Sequence, residues 1–261
     1  MRSSPLRVRL SLGIALALAA PSIAAAATFE DKATGFFVQI APRDAQVCVI
    51  LPREAPDDAS CEGIDVAGLA AALRAKELSV SGFAVLRLPT GNALISVAGT
   101  IEQPPQTREQ IEGLMRGVRE SAGELNFPVQ VHGSAPGEPY DIGNVNGIDY
   151  LRYYVDLDVP EGHQRYATSR MVTYVFVRKN AIAHLTFSTD PAHAFDVASK
   201  AEWIVKTTSM PGVGIEGFGK PRSLFLAGAL GKMMGGLMGS IVMIAAIVFV
   251  VIKLGYRKKA R

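Results

Sequence analysis

GIDYLRYYVDLD (residues 147–158), SRMVTYVFVRK (169–179) and NAIAHLTFST (180–189) follow one another, the first two parted by ten residues and the last two contiguous, and all three are rich in β-branched and aromatic residues. That composition suits a pleated, half-buried surface. In the third run Ala183, Leu185 and Phe187 alternate with His184, Thr186 and Ser188, the pattern of a strand with one face packed and the other polar. A turn on Asn146 and Gly147 introduces the first run, since both residue types tolerate the left-handed backbone of tight turns.

Upstream, GFFVQIAP (35–42) and AQVCVIL (45–51) read as short strands bounded by turn formers. SGFAVLRL (81–88) and ALISVAGTI (93–101) are joined by PTGN (89–92), which predicts a β-hairpin. Two helices interrupt the strands. Asp65 is placed to cap VAGLAAALRAK (66–76). Thr107 and Gln110 form a capping box ahead of Ile111, Leu114, Met115, Val118 and Ala122, which recur at helical spacing. A third helix is predicted over 191–208, with Val197, Ala201, Ile204 and Val205 inward and the single tryptophan, Trp203, as a core or groove packer. The stretch between the second helix and residue 147 reads as a long loop rich in Gly, Pro and Asn. This order of elements predicts an α+β domain whose mainly antiparallel sheet is flanked by helices.

The same stretches carry a family likeness. TGFFVQIAP, the helix TREQIEGLMRGVRES, the Gly-led strand GIDYLRYYV, the strand VTYVFVRKN, the run AIAHLTFSTD and a closing helix ending IVKTTSM together resemble the PsbP-like fold of photosystem assembly proteins and their bacterial relatives. The resemblance spans most of 29–210 and implies an α/β/α sandwich, in small exported domains that mostly bind or help assemble partners without catalysis. It brings no catalytic motif onto these positions, and the insertion around 61–76 departs from the compact form.

The ends of the chain read differently. Residues 1–27 combine Arg2, Arg7 and Arg9 with an apolar run and a small-residue site after Ala26 or Ala27, the pattern of an export signal. Residues 28–211 then form the exported domain, 212–223 a Gly-rich linker, 224–254 a transmembrane helix with its uncharged core at 233–252, and 255–261 a basic tail. A core of that length matches a hydrocarbon layer of about 30 Å. The basic tail places the C-terminus in the cytoplasm. These readings predict a single-pass inner-membrane protein with its domain on the outer side. Gly231, Gly235 and Gly239 repeat at a spacing of four, a face on which membrane helices pack against a copy of themselves or a partner's helix; the alternative is that they meet only lipid.

All 24 acids lie between residues 30 and 216, where sixteen of the 27 basic residues remain once signal, tail and span flanks are set aside. The domain is therefore acidic, which argues against nucleic-acid binding, a function that needs clustered basic charge. Cys48 and Cys61 are the two cysteines of the chain. Their spacing favours a disulfide closing a small loop, worth about 3 kcal/mol by loop entropy; the alternative is a buried thiol pair.

Candidate chemistry is sparse. Gly212, Gly214 and Gly217 match a dinucleotide fingerprint, but they follow a helix where the motif must follow a strand. The overlapping phosphate-loop pattern ending at Lys220 has Pro221 where a Ser or Thr should hold magnesium. An EF-hand register over 141–149 would put Ile142 at the first ligand position, which excludes it. The four histidines, at 132, 163, 184 and 193, show no zinc spacing. Asp156, Asp158 and Glu161 form an acidic patch on one strand face. These observations predict no catalytic, cofactor or metal site. The reading they favour is a membrane-anchored envelope protein whose domain binds or stabilises protein partners. The alternative is an exported enzyme, a hydrolase using the region from His184 to Asp196 with Ser188, Asp190 and His193.

Overall fold

The structure, a computed structural model, describes residues 27–40, 46–52, 61–75, 80–88, 91–123, 128–157, 170–189 and 194–220. Its strands are β1 Thr28–Asp31, β2 Phe36–Gln39, β3 Gln46–Leu51, β4 Gly82–Leu88, β5 Gly91–Thr100, β6 Val129–His132, β7 Asp141–Val145, β8 Ile148–Leu157, β9 Arg170–Arg178 and β10 Ala181–Thr189. The helices are α1 Val66–Ala75, α2 Arg108–Gly123 and α3 Ala194–Val205. Eight strands form one sheet in the order β3-β4-β5-β10-β9-β8-β6, with β7 pairing β8 beyond the end of β6. All its pairings are antiparallel.

Strand alternation distributes the core over both faces of this sheet. On one face Ala84, Ile95, Leu185, Phe187, Tyr174 and Phe176 pack against the β1–β2 hairpin and the inner side of α3. On the other, Val66, Ala70 and Leu73 of α1 meet Cys48, Ile50, Phe83 and Val85, while Ile111, Met115 and Val118 of α2 meet Leu151, Val155, Met171 and Val175. The sheet is thus a middle layer, α1 and α2 on one side and α3 with the hairpin on the other. The hairpin docks closely: the Phe29 ring lies where a Cβ on Gly82 would stand, 2.5 Å from it.

Local signals in the sequence appear as local structure. Gly68 N–H donates to Asp65 Oδ1 at 2.9 Å, capping α1. At α2 the box is reciprocal: Thr107 N–H donates to Gln110 Oε1 at 3.1 Å and Gln110 N–H to Thr107 Oγ1 at 3.4 Å. Asn146 and Gly147 have φ of 51° and 73° and connect Val145 to its partner Ile148, a two-residue hairpin turn of the kind that needs both φ positive. Cys48 and Cys61 are disulfide-bonded, with Cα atoms 4.8 Å apart, tying β3 to the start of α1.

Several expectations are corrected. Strand β10 is not half polar: all nine of its positions are buried, because helices cover its second face as well. The predicted long loop holds β6 and β7, short strands that exist by pairing with β8. The run 35–42 does hold a short strand, β2, and it pairs with β1 in a two-stranded sheet separate from the main one. Trp203 is 38% exposed on α3, which overturns the core half of its reading as a core or groove packer. The Gly-rich stretch is not a free tether through residue 220: Lys179 N–H donates to Val213 O at 2.9 Å, Gly219 N–H to Gln106 O at 3.1 Å, and Ile215 and Phe218 pack against the α2 side of the core.

The placement as a single-pass inner-membrane protein is also overturned. Among the described residues no helix is long and apolar enough to cross a membrane. The longest of them, α2, has 16 residues with charges along its outer side, short of the roughly 20 apolar residues that a span requires. The expected signal at 1–27, apart from Ala27, and the expected span with Gly231, Gly235 and Gly239 lie outside the described residues.

Candidate functional site: a paired aromatic and ionic face on β8

Alternate residues of β8 point to the two sides of the sheet. Leu151, Tyr153, Val155 and Leu157 are buried under α2, whereas Tyr150, Arg152, Tyr154 and Asp156 stand half-buried on the α3 side. Four residues on three neighbouring strands complete this row by register. Asp141 of β7 lies opposite Arg152, His132 of β6 opposite Tyr154, and Tyr174 and Arg170 of β9 opposite Arg152 and Asp156.

Each charge in the row has a fixed counterpart. Arg152 Nε donates to Asp141 Oδ2 at 2.9 Å, and Ser134 donates to the same carboxylate from its hydroxyl at 2.6 Å and from its backbone N–H. The Arg152 guanidinium carbon also lies 5.6 Å from the Tyr154 ring centre and 5.9 Å from that of Tyr174, within cation–π range. Arg170 donates to Asp156 through Nε and Nη2, both at 2.7 Å. His132 Nε2 approaches the same carboxylate at 3.2 Å, and its ring stacks on Tyr154 with centres 5.5 Å apart. Beside them the Tyr150 ring lies over Gly143, filling the space a Cβ there would need.

The electrostatics follow from this pairing. Burial works to raise the Asp141 carboxyl, but the Ser134 hydrogen bonds and the Arg152 guanidinium outweigh it and hold the group below the ordinary value. For Asp156 burial again pushes upward, and Arg170 and His132 win. Burial opposes the charge on Arg152, yet Tyr174 and Asp141 raise its pKa. Burial pushes the Tyr174 phenol up to about 12 and raises that of Tyr154 as well. Tyr154 and Tyr174 remain neutral and Asp141, Arg152, Asp156 and Arg170 remain charged at neutral pH, so the row is a surface of aromatic edges and paired charges.

The sequence marked Asp156, but as part of a solvated acidic patch. The structure pairs it with Arg170 and His132, while Asp158 and Glu161 lie outside the described residues. The remaining members were legible only as a period-two row, Tyr150, Arg152, Tyr154 and Asp156, a signal that names a face but not its partners.

The enzyme-like group does not come together among the described residues. His184 and Ser188 are 5% and 2% exposed on the central strand, beneath the α1 and α2 layer. Burial lowers the His184 pKa to about 4, so the imidazole is neutral. Asp190 and His193, and the side chain of Asp196, lie outside the described residues. On the same buried face Thr173 Oγ1 and Thr186 Oγ1 are 3.1 Å apart and satisfy one another. Among the described residues no group of three His, Cys, Asp or Glu side chains could hold a metal ion.

No protein-family model matches the chain, and no curated protein matches it. Among solved structures it is similar to the solution structure of cyanobacterial PsbP (CyanoP) from Synechocystis sp. PCC 6803, at 13% sequence identity and a TM-score of 0.42, over 74% of this chain and 96% of that chain. That neighbour is of the protein type the sequence resembles; the strand order and registers above describe the fold by themselves.

Proposed function

We propose that this domain is a non-catalytic binding module that holds or helps assemble a protein partner through the half-buried face of β8. One observation carries the reading: Tyr150 and Tyr154 are half-buried on a sheet where Asp141, Arg152, Asp156, Arg170 and His132 already pair with one another. Tyr and Arg are enriched among residues that dominate protein–protein binding energies, and side chains already held in place lose little entropy on binding. Because the charges cancel locally, the face offers ring surface and hydrogen-bonding edges rather than a field. The neutral, buried His184 supports a non-catalytic role, since it stands where no outside substrate reaches. The disulfide suits an oxidising compartment.

The test is affinity purification of the full chain from its native cells, with Tyr154→Ala compared against Arg116→Ala on the exposed side of α2. A partner retained by wild type and Arg116→Ala but lost from Tyr154→Ala supports the reading. A partner retained equally by all three, or one lost only from Arg116→Ala, places binding elsewhere.

A further inference from the structure

The chain contains one Asn-Gly pair, Asn146–Gly147, and it forms the exposed β7–β8 turn. Gly147 has no side chain to shield its backbone nitrogen. Nothing about that turn in isolation protects the Asn146 carboxamide, yet its Nδ2 donates both hydrogens, to Lys206 O and to Thr208 O, each at 2.9 Å. These carbonyls lie just past the end of α3. The next residue, Ser209, exchanges backbone hydrogen bonds with Phe37 of β2 at 2.8 and 2.9 Å. The Asn146 side chain amide therefore fastens the β7–β8 turn to the segment that follows α3, beside Arg178 of β9, which donates to Gly147 O and Met210 O across the same junction.

We propose that Asn146 is a deamidation site gated by this contact, and that its conversion loosens the segment at the end of α3. In the reaction the Gly147 backbone nitrogen attacks Cγ of Asn146, the Cγ–Nδ2 bond breaks, and ammonia leaves with the proton given up by the Gly147 amide. Water then opens the cyclic imide at either carbonyl, giving aspartate or isoaspartate. While Nδ2 is held by both carbonyls the carboxamide cannot turn toward Gly147, so the reaction proceeds from a locally opened state and its rate follows the population of that state. The product carries an acceptor-only carboxylate where a donor is needed, facing two carbonyl oxygens, so the fastening does not re-form.

Peptide mapping of the full chain, incubated at mildly alkaline pH with and without urea, reads this directly. The inference expects Asn146 to convert readily in urea and much more slowly when folded. Thr207→Val, which removes the hydroxyl contacts of Thr207 with Gln39 and Ile204, is expected to speed the folded-state reaction about fivefold, the factor for about 1 kcal/mol of local opening. It further expects Asn146→Asp to speed hydrogen exchange at the Phe37 and Ser209 amides while leaving the β4–β5 pairing unchanged. Equal rates with and without urea, no conversion in urea, or unchanged exchange in Asn146→Asp would each overturn it.

Discussion

Asp156 and Arg170 stand directly opposite on β8 and β9 and meet through two parallel hydrogen bonds of 2.7 Å, with the His132 ring closing on the same carboxylate at 3.2 Å. One carboxylate thus joins β6, β8 and β9. Its side chain is 27% and that of Arg170 42% exposed, so water screens the pair and its contribution is modest. Asp156→Ala is expected to lower stability by about 1 kcal/mol in urea denaturation, and to loosen the His132 ring from Tyr154. A loss of several kcal/mol would mean that the pair supports the core rather than the surface.

The buried His184 sets a separate pH dependence. Its folded pKa is depressed to about 4 from 6.5, so the unfolded chain binds a proton that the folded chain refuses as pH falls through this window. The stabilisation is fully present above 6.5 and is lost progressively toward 4, by on the order of 3 kcal/mol. His184→Leu is expected to flatten the urea midpoint between those limits. Asp141 and Asp156, whose folded pKa values are lowered, add stability that fades only below the ordinary carboxylate range. A slope between 6.5 and 4 that persists in His184→Leu would assign it to other groups.

Reduction of Cys48–Cys61, or the double change Cys48→Ala and Cys61→Ala, is expected to cost about 3 kcal/mol, the loop-entropy value for a separation of 13 residues. The effect should fall on α1, whose Val66, Ala70 and Leu73 share the cluster around Cys48. Hydrogen exchange would show α1 amides opening first while those of β9 and β10 stay protected; uniform opening would contradict that assignment.

Gly143 gives a way to move one ring of the β8 face without touching it. A Cβ there would lie 2.4 Å from Cζ and Oη of Tyr150, so Gly143→Val must push the phenol aside, and the flexible end of the side chain can yield. The expected result is a folded protein with a displaced Tyr150, visible as shifted aromatic resonances, with stability reduced by no more than about 1–2 kcal/mol. Unchanged Tyr150 resonances would show that β7 gives way instead.

Features specified by neighbours in sequence were legible before the structure. The Thr107–Gln110 box, the Asp65 cap and the Asn146–Gly147 turn each depend on residues within four positions, where side chain chemistry decides the backbone directly. Features specified by distant pairing were not. Strand β6 has only four residues, too short a run of alternation to name a strand, and it exists because β8 lies beside it. The alternation in β10 reports side chain polarity, but whether its polar side meets water depends on α1 and α2, far away in sequence. Ile215 and Phe218 looked like parts of a linker because glycines surround them; they pack because the core beneath α2 has room for them. For the candidate site, Asp156 read as a solvated acid since nothing in the sequence says that Arg170, fourteen positions on, arrives opposite it.

The most direct measurement of the binding reading is site-specific photo-crosslinking in the native cells, with a photoreactive phenylalanine at Tyr154 in one strain and at Arg116 on α2 in another. The account predicts a discrete protein adduct from position 154 that Gly143→Val in the same chain diminishes, and none from position 116. No adduct at 154, or the same adducts from both positions, would contradict the assignment of the β8 face as the binding surface.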